Sequence, residues 1–412
     1  MDEHRHASLQ GGEWQGERGC PDPRRAGTGL TVTGESGVEV RPVSNDRERD
    51  AFLKLPFSIF ASDPNWVPPL FLERREHLDP KKNPYFAHAD AALFVAWKGD
   101  QAVGRISAQI DRLRLERYRD ATGQFGFLDA VDDPDVFGAL LNAAQTWLGE
   151  RGMQRVQGPF SFSINDETGL LVHGFDTPPA MMMGHARPYY AEHLDALGFV
   201  KAKDVIAYDY DARPPLPRAM QAMVDKAGRP GNMKLRPLRK SDLDRELAVV
   251  IDIFNDAWSE NWGFVPMTDA EIAALGKNLK LLVSGDYIAI AEYRGEPAAM
   301  AISLPDINDW IKDLGGRLLP FGWAKLALRL MRPPTRVRIP LMGVKREHHA
   351  TPLGPALAVA VIDRIRKFHL SRGTHLAELS WILEDNTGMR RIIEALGARP
   401  YKTYRVYEKT IA

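Results

Sequence analysis

The sequence predicts an α/β protein with an α+β mixed sheet, built as two similar halves behind a disordered N-terminal tail. Three observations carry this expectation. At 412 residues the chain exceeds one ordinary core, so two domains of under ~200 residues each are expected. Alternating apolar runs, read as strands, are separated by stretches with helical spacing, and the order of elements repeats in the two halves. Residues 1–37 are rich in Gly, Arg, Glu and His with almost no apolar periodicity. Such a segment cannot bury enough surface to offset its ordering entropy.

Order is expected from Val38, where "VEVRPV" alternates like a strand. "DRERDAFLKLPFSIFA" has helical spacing and "DPNWVPPL" breaks it. "ALFVAWKGDQAVGRISAQID" is two apolar runs joined at Lys98-Gly99-Asp100, a hairpin signal. Asp135 to Gly152 reads as a helix, "RVQGPF" as a strand, and "PYYAEHLDALGFVKAKDVIAYDYD" as a helix, a Gly stop and a strand. These make a first half, 38–212. "RPPLPR" and "GRPGN" bracket a connection, 213–233. The second half, 234–412, repeats the pattern: a strand at "MKLRPLR", an acid-started helix, a hairpin turning at Arg294-Gly295-Glu296, then strand, helix, strand, helix and the last strand "TYRVYEK".

Composition excludes several function classes. Lys plus Arg and Asp plus Glu number 54 each, so no global field attracts nucleic acid. The single cysteine, Cys20, rules out an intrachain disulfide framework and a Cys-rich zinc site. No apolar run approaches the roughly 20 residues of a membrane span, and the first 37 residues have no apolar core of a signal peptide. A cytoplasmic location is the expectation.

"LMGVKREHHATPLGPAL" and "EDNTGMRRIIEALGA", in this order of elements, resemble the GNAT superfamily of acyl-CoA N-acyltransferases. The resemblance implies tandem GNAT-like folds, with acyl-CoA as co-substrate and no metal. In that family a strand ends in Arg/Gln-x-x-Gly-x-Gly/Ala, whose N–H groups bind the CoA pyrophosphate at a helix start. Here the loop runs from His349 through Pro352 to Gly354. His349 replaces Arg or Gln, and Pro352 replaces the first Gly and removes a donor; Thr351 and Arg346 are the candidates to compensate. Without a ligand, "TPLGPAL" is simply a proline-started helix. The resemblance further implies that the Val344 N–H, after Gly343, polarises the thioester carbonyl, and that Asn386 contacts the pantetheine or its sulfur region. Where the family often has a Tyr acid, this chain has Ile393. Tyr401 and Tyr404 are nearby and are read as structural.

The first half lacks the phosphate loop. It carries "SINDETGLLVHGFDTPPAMMMGHARPYY" instead, which crowds Asn165, Asp166, Glu167, His173, His185, Tyr189 and Tyr190 into 26 residues. Asp166, Glu167 and His185, with Tyr190, are the catalytic candidates, one of the first three taking the amine proton. The plainer reading is an N-capping "ND", solvated charges and a core Tyr.

From Val38 on, phrases such as "KKNPYFAHADAALFVAW" and "INDETGLLVHGFDTPP" resemble a two-lobed bacterial GNAT-like family that includes the bacterial ceramide synthases. That resemblance implies an amine acceptor, with a long-chain lipid amine as the specific case. The insertion 306–334 holds "PFGWAKLALRLMRPP", with Lys325, Arg329 and Arg332 on one face of a helix and apolar side chains on the rest. A peripheral contact of 320–332 with the inner membrane is one expectation, and packing on the other lobe is the plainer one. The expected function is N-acyl transfer from acyl-CoA to an amine. The competing readings are a non-catalytic degenerate pair that binds a ligand or protein, and a Fem-type aminoacyl transferase, for which no RNA-binding surface is evident.

Overall fold

The computed structural model describes residues 32–33, 37–227, 233–282 and 284–411. The first half comprises β1 (Val32–Thr33), β2 (Val38–Pro42), α1 (Asp46–Ile59), α2 (Phe71–His77), β3 (Ala89–Lys98), β4 (Gln101–Asp111), α3 (Arg112–Tyr118), β5 (Thr122–Ala130) and α4 (Pro134–Gly149). It continues through β6 (Arg155–Gly158), β7 (Phe160–Ser161), β8 (Glu167–Thr168), β9 (Leu170–His173), α5 (Tyr189–Ala196) and β10 (Val200–Asp211). α6 (Arg218–Ala227) lies in the connection. The second half comprises β11 (Met233–Pro237), α7 (Leu243–Trp258), α8 (Asp269–Leu282), β12 (Ile288–Tyr293), β13 (Glu296–Pro305), α9 (Asn308–Ile311) and α10 (Gly322–Leu330). β14 (Arg336–Val344), α11 (Leu353–Ser371), β15 (Leu376–Leu383), α12 (Thr387–Ala395) and β16 (Arg399–Thr410) complete it.

The expected tail lies mostly outside the described residues; within it, Val32 and Thr33 pair with Val40 and Glu39 of β2. Local chemistry sets the ends of many elements. Asn45 caps α1 by accepting the Glu48 N–H at 3.0 Å, and the Glu48 carboxylate accepts the Ser44 N–H at 2.7 Å. Both expected hairpins form. In the second, Tyr293 pairs with Glu296, and Arg294 and Gly295 take φ +53° and +90°, as a two-residue type I′ turn requires. The structure adds the short helix α3 and the strand β5 to the expected elements, and β5 completes the match between the two halves.

One sheet runs through the molecule in the order β1-β2-β3-β4-β5-β6-β16-β10-β15-β14-β13-β12-β11, with β9 pairing off this path on β16. The last strands are exchanged: β10 of the first half lies beside β15, and β16 of the second lies between β10 and β6. Helices cover both faces. In the second half, Ile288, Ile290, Met300 and Ile302 face α7. The alternate residues Ala289, Ala291, Ala299 and Ala301 face α11. The period of two sorts large side chains to one face and small ones to the other, so α11 can lie close to the sheet.

Candidate active site

β14 and β15 pair in parallel only from Arg336↔Leu376 to Ile339↔Leu379. Beyond that point stands Pro340, which has no N–H to donate, and the strands part. The opening is a slot of about 640 Å³, within the range of roughly 300–1,000 Å³ usual for small-molecule sites. It follows α11 from Gly354 to His369, roughly 22 Å at 1.5 Å per residue.

Backbone groups of β14 face into this slot. Lys345 donates its N–H to Ala298 at 2.8 Å. In the alternating antiparallel ladder, Met342 and Val344 therefore turn their N–H and C=O groups away from β13. Their carbonyls accept the Trp258 indole N–H at 3.0 Å and the His349 ring at 2.6 Å. Neither N–H has a β15 partner, since the pairing ends at Ile339.

Of the residues expected to hold the cofactor, Gly343, Val344, His349, Gly354 and Asn386 line the slot together. A Cβ on Gly354 would stand 2.5 Å from the His348 carbonyl, which explains glycine there. Asn386 caps α12 by accepting the Met389 N–H at 3.1 Å, leaving its amide NH₂ for a ligand. Arg346 stands outside the slot wall, paired with Glu260 and donating to Ser259 Oγ at 3.3 Å. Both members of that pair are well exposed, so the guanidinium is weakly held. Thr351 is exposed and donates to the His348 carbonyl at 2.8 Å. Ile393 is buried in the slot wall and offers no hydroxyl.

The four candidates of the first half do not line this slot. Asp166 accepts the Ser163 N–H and hydroxyl, each at 3.2 Å, as a local turn cap. Glu167 pairs with Arg74; burial pushes its carboxyl up, but Arg74 outweighs burial and holds it below the usual range. His185 meets Asp63 at 2.9 Å, and burial holds its pKa below the ordinary value despite that partner. Tyr190 is fully buried, accepting the Ala130 N–H at 3.1 Å.

The first half has an equivalent slot that is closed. β5 and β6 pair from Thr122↔Arg155 to Gln124↔Gln157. Then Phe160 folds back so near Gly126 that a Cβ there would lie 1.6 Å from its carbonyl. Gln109 fixes the plug by donating to the Phe160 and Phe162 carbonyls at 2.9 and 3.2 Å. At the start of α4, the Asp133 carboxylate accepts the Asp135 N–H at 2.9 Å. A carboxylate thus caps that helix end, whereas at the start of α11 the Leu353 N–H goes to Thr351 Oγ1 at 3.3 Å and the Gly354 N–H to the Thr351 carbonyl at 3.2 Å.

Sequence reading missed two parts of the open slot. Trp258, Trp262 and Trp381 line it on the α7 side, with Trp258 and Trp381 edge to face at 5.6 Å. Ser380, the first residue of β15 beyond the paired stretch, lines it as well. Its hydroxyl donates to fully buried Glu378 and accepts from Arg338 Nε at 2.9 Å. Tyr401 also donates to Glu378; burial beside that carboxylate pushes its phenol far up, so it stays protonated. The Arg338 guanidinium, 3.8 Å from Glu378, offsets the buried charge.

His369 lies at the other end of the slot, and burial pushes its pKa down to about 4. Ser303 gives its proton to the Tyr287 carbonyl at 2.8 Å, so the His369 Nε2–H is the donor in their 2.9 Å contact. As pH falls from the ordinary value of 6.5 toward 4, the unfolded chain is protonated first, so the folded state loses stability. Urea unfolding at about pH 5 is therefore expected to show an extra loss of about 2 kcal/mol for the wild type over His369→Gln. Equal losses would refute this account.

No family model matches the chain. It is 46% identical over 378 residues to protein YghO of Escherichia coli (strain K12), covering 90% of this chain and 95% of that one. It is 44% identical over 376 residues to the bacterial ceramide synthase of Caulobacter vibrioides (strain NA1000 / CB15N), covering 91% and 98%. Among solved structures it resembles a tandem GNAT protein from the clavulanic acid biosynthesis pathway, with TM-score 0.52, 14% identity, and 91% and 99% of the two chains covered. That likeness concerns the fold.

Proposed function

The chain belongs to the two-lobed GNAT family of protein YghO and the bacterial ceramide synthase, and from that premise we propose that it is an N-acyltransferase moving an acyl group from acyl-CoA to a long-chain lipid amine. The observation that carries the reading is the open slot between β14 and β15, which starts at the N-terminus of α11, while its counterpart in the first half is plugged. The Gly354 end suits the CoA phosphates, with Arg346 and Thr351 on the loop that leads to it. The Met342 and Val344 N–H groups suit the developing oxyanion. Three tryptophans and an apolar wall suit a hydrocarbon-bearing acceptor.

In the proposed reaction the amine attacks the thioester carbonyl, the amide C–N bond forms and the C–S bond breaks. The amine proton passes to Ser380 Oγ as the Ser380 proton passes to Glu378. CoA leaves as the thiolate and is protonated by solvent, since Ile393 supplies no acid. Ser380, with Glu378 behind it, thus replaces Asp166, Glu167 and His185 as the favoured path for the proton, because Ser380 lines the slot and those three do not. Palmitoyl-CoA and sphinganine, mixed with the purified protein, are expected to give the N-acyl product by mass spectrometry. Ser380→Ala should lower kcat by about 100-fold with acyl-CoA affinity unchanged. Absence of amide product with any long-chain amine would sink the reading. Ile393 and Pro352 favour a second reading, a ligand-binding module, which predicts saturable acyl-CoA binding without turnover.

A further inference from the structure

The insertion between β13 and β14 leaves its apolar face uncovered. Among the described residues nine large hydrophobic side chains are exposed, and six of them lie between Leu319 and Met331. Met331, Leu319 and Phe321 are 83, 77 and 75% exposed, and Trp323 and Leu328 more than half. No residue of α10 is buried. The helix is tied back onto the first part of the insertion through a cation, with Arg329 donating to Asp313 at 2.8 Å and also to the Trp310 carbonyl. Two more of the nine, Leu72 and Met182, lie on segments that the insertion touches. The Phe71 N–H donates to the Gly316 carbonyl at 2.9 Å. The Met181 N–H donates to Asp306 at 3.0 Å, and the Asn308 amide to the Pro179 carbonyl at 2.9 Å. Three separate stretches of sequence therefore leave apolar side chains exposed in one region of the surface.

We infer that this region docks on an anionic lipid bilayer. From Leu314 to Pro334 the chain carries Arg317, Lys325, Arg329 and Arg332 and no acidic residue. Exposed Trp, Phe and Leu interleaved with cations match the boundary between acyl chains and anionic headgroups. Lys325 and Arg329 share Asp313; a second copy still fits the surface poorly, because twofold pairing would set Arg317 and Arg332 against their own copies with no acid from Leu314 to Pro334 to offset them. No helix among the described residues is long and apolar enough to cross a membrane, so the contact is interfacial. The docked region also adjoins the slot. Thr374, in the slot wall near His369, donates to the carbonyl of Pro334, the last residue of the insertion, at 2.6 Å. The bilayer would then lie beside the end of the slot remote from Gly354, where an acyl chain or lipid amine could pass without crossing water. The docking rests on the surface alone and goes beyond the acyltransferase reading.

The test uses the full chain and sedimenting vesicles of phosphatidylcholine, with and without phosphatidylglycerol, and needs no turnover. The wild type is expected to partition onto the phosphatidylglycerol vesicles and to be weakened by added salt. Phe321→Ser, Trp323→Ser and Leu328→Ser together should lower that partitioning at least about tenfold, with the melting temperature unchanged because the three side chains are exposed. Arg317→Glu with Arg332→Glu should weaken binding to the anionic vesicles selectively. The inference is overturned if the wild type stays in the supernatant with both vesicles, or if the triple serine variant partitions like the wild type. It is also overturned if that variant turns a dimer into a monomer while neither protein binds vesicles. Failure of N-acylation with intact vesicle binding would count against the proposed function alone.

Discussion

Gly354→Glu is expected to weaken acyl-CoA binding by about 100-fold or more while leaving the folded state populated. The change has two separable parts. Any side chain at this position brings a Cβ to 2.5 Å from the His348 carbonyl, so the loop between β14 and α11 must move. Glutamate adds a carboxylate at the helix end proposed to hold the pyrophosphate, opposing the ligand's charge and displacing N–H donors. Losing one or two hydrogen bonds to a charged group costs about 3 kcal/mol, equivalent to roughly 100-fold in Kd. Gly354→Ala carries the first part only and should cost about tenfold. Fluorescent acyl-CoA titration of the three proteins measures the series. If glutamate and alanine weaken binding equally, the phosphates are not held there. If neither changes it, the slot is not the acyl-CoA site.

Neither half is expected to fold alone, although the element pattern reads as two consecutive domains. A fragment spanning 38–212 lacks β16, and β16 is the strand that separates β6 from β10. A fragment spanning 234–412 lacks β10, which joins β15 to β16. Ending the chain at Gly397 removes Tyr404, Val406 and Tyr407, each essentially fully buried, and strips the ladder from both neighbours. Burial of three such side chains contributes about 2 kcal/mol each. Together with the broken ladder, the loss is comparable with the whole stability of a domain, roughly 5–15 kcal/mol. The truncated chain and each separate fragment should show no cooperative thermal transition, and co-expression of the fragments should restore one. A cooperative melt of the 38–212 fragment by itself would refute the claim.

Ser380 and Glu378, the proposed proton path, show how such a cluster escapes a reading of the sequence. "HLAELSWIL" reads only as a strand. In the folded chain both faces of β15 are covered, and Glu378 is buried because Arg338, Tyr401 and Ser380 converge on it from two other strands and its own. The density of titratable residues near Asp166 pointed to the other half. Asp166 caps a local turn at Ser163, and Glu167 and His185 pair with the distant Arg74 and Asp63.

What the sequence by itself determined follows from local physics. Period-two alternation, helix caps and glycine turns placed most of the strands and helices and both hairpins; the resemblance of His349–Gly354 and Asn386 to a family's motifs, rather than local physics, pointed to the half with the open slot. Tertiary structure alone decided β5, the exchange of last strands, the plug at Phe160 and the polar cluster at Glu378. β5 is buried along its whole length, yet it contains Thr122, Gln124 and Asp129, so it has no alternation to read. Asp129 is buried against Arg105 of the neighbouring strand β4, a partner that the pattern within β5 does not reveal. Strand exchange leaves no local mark either, because a strand's residues state which face is buried and not which neighbour supplies its hydrogen bonds.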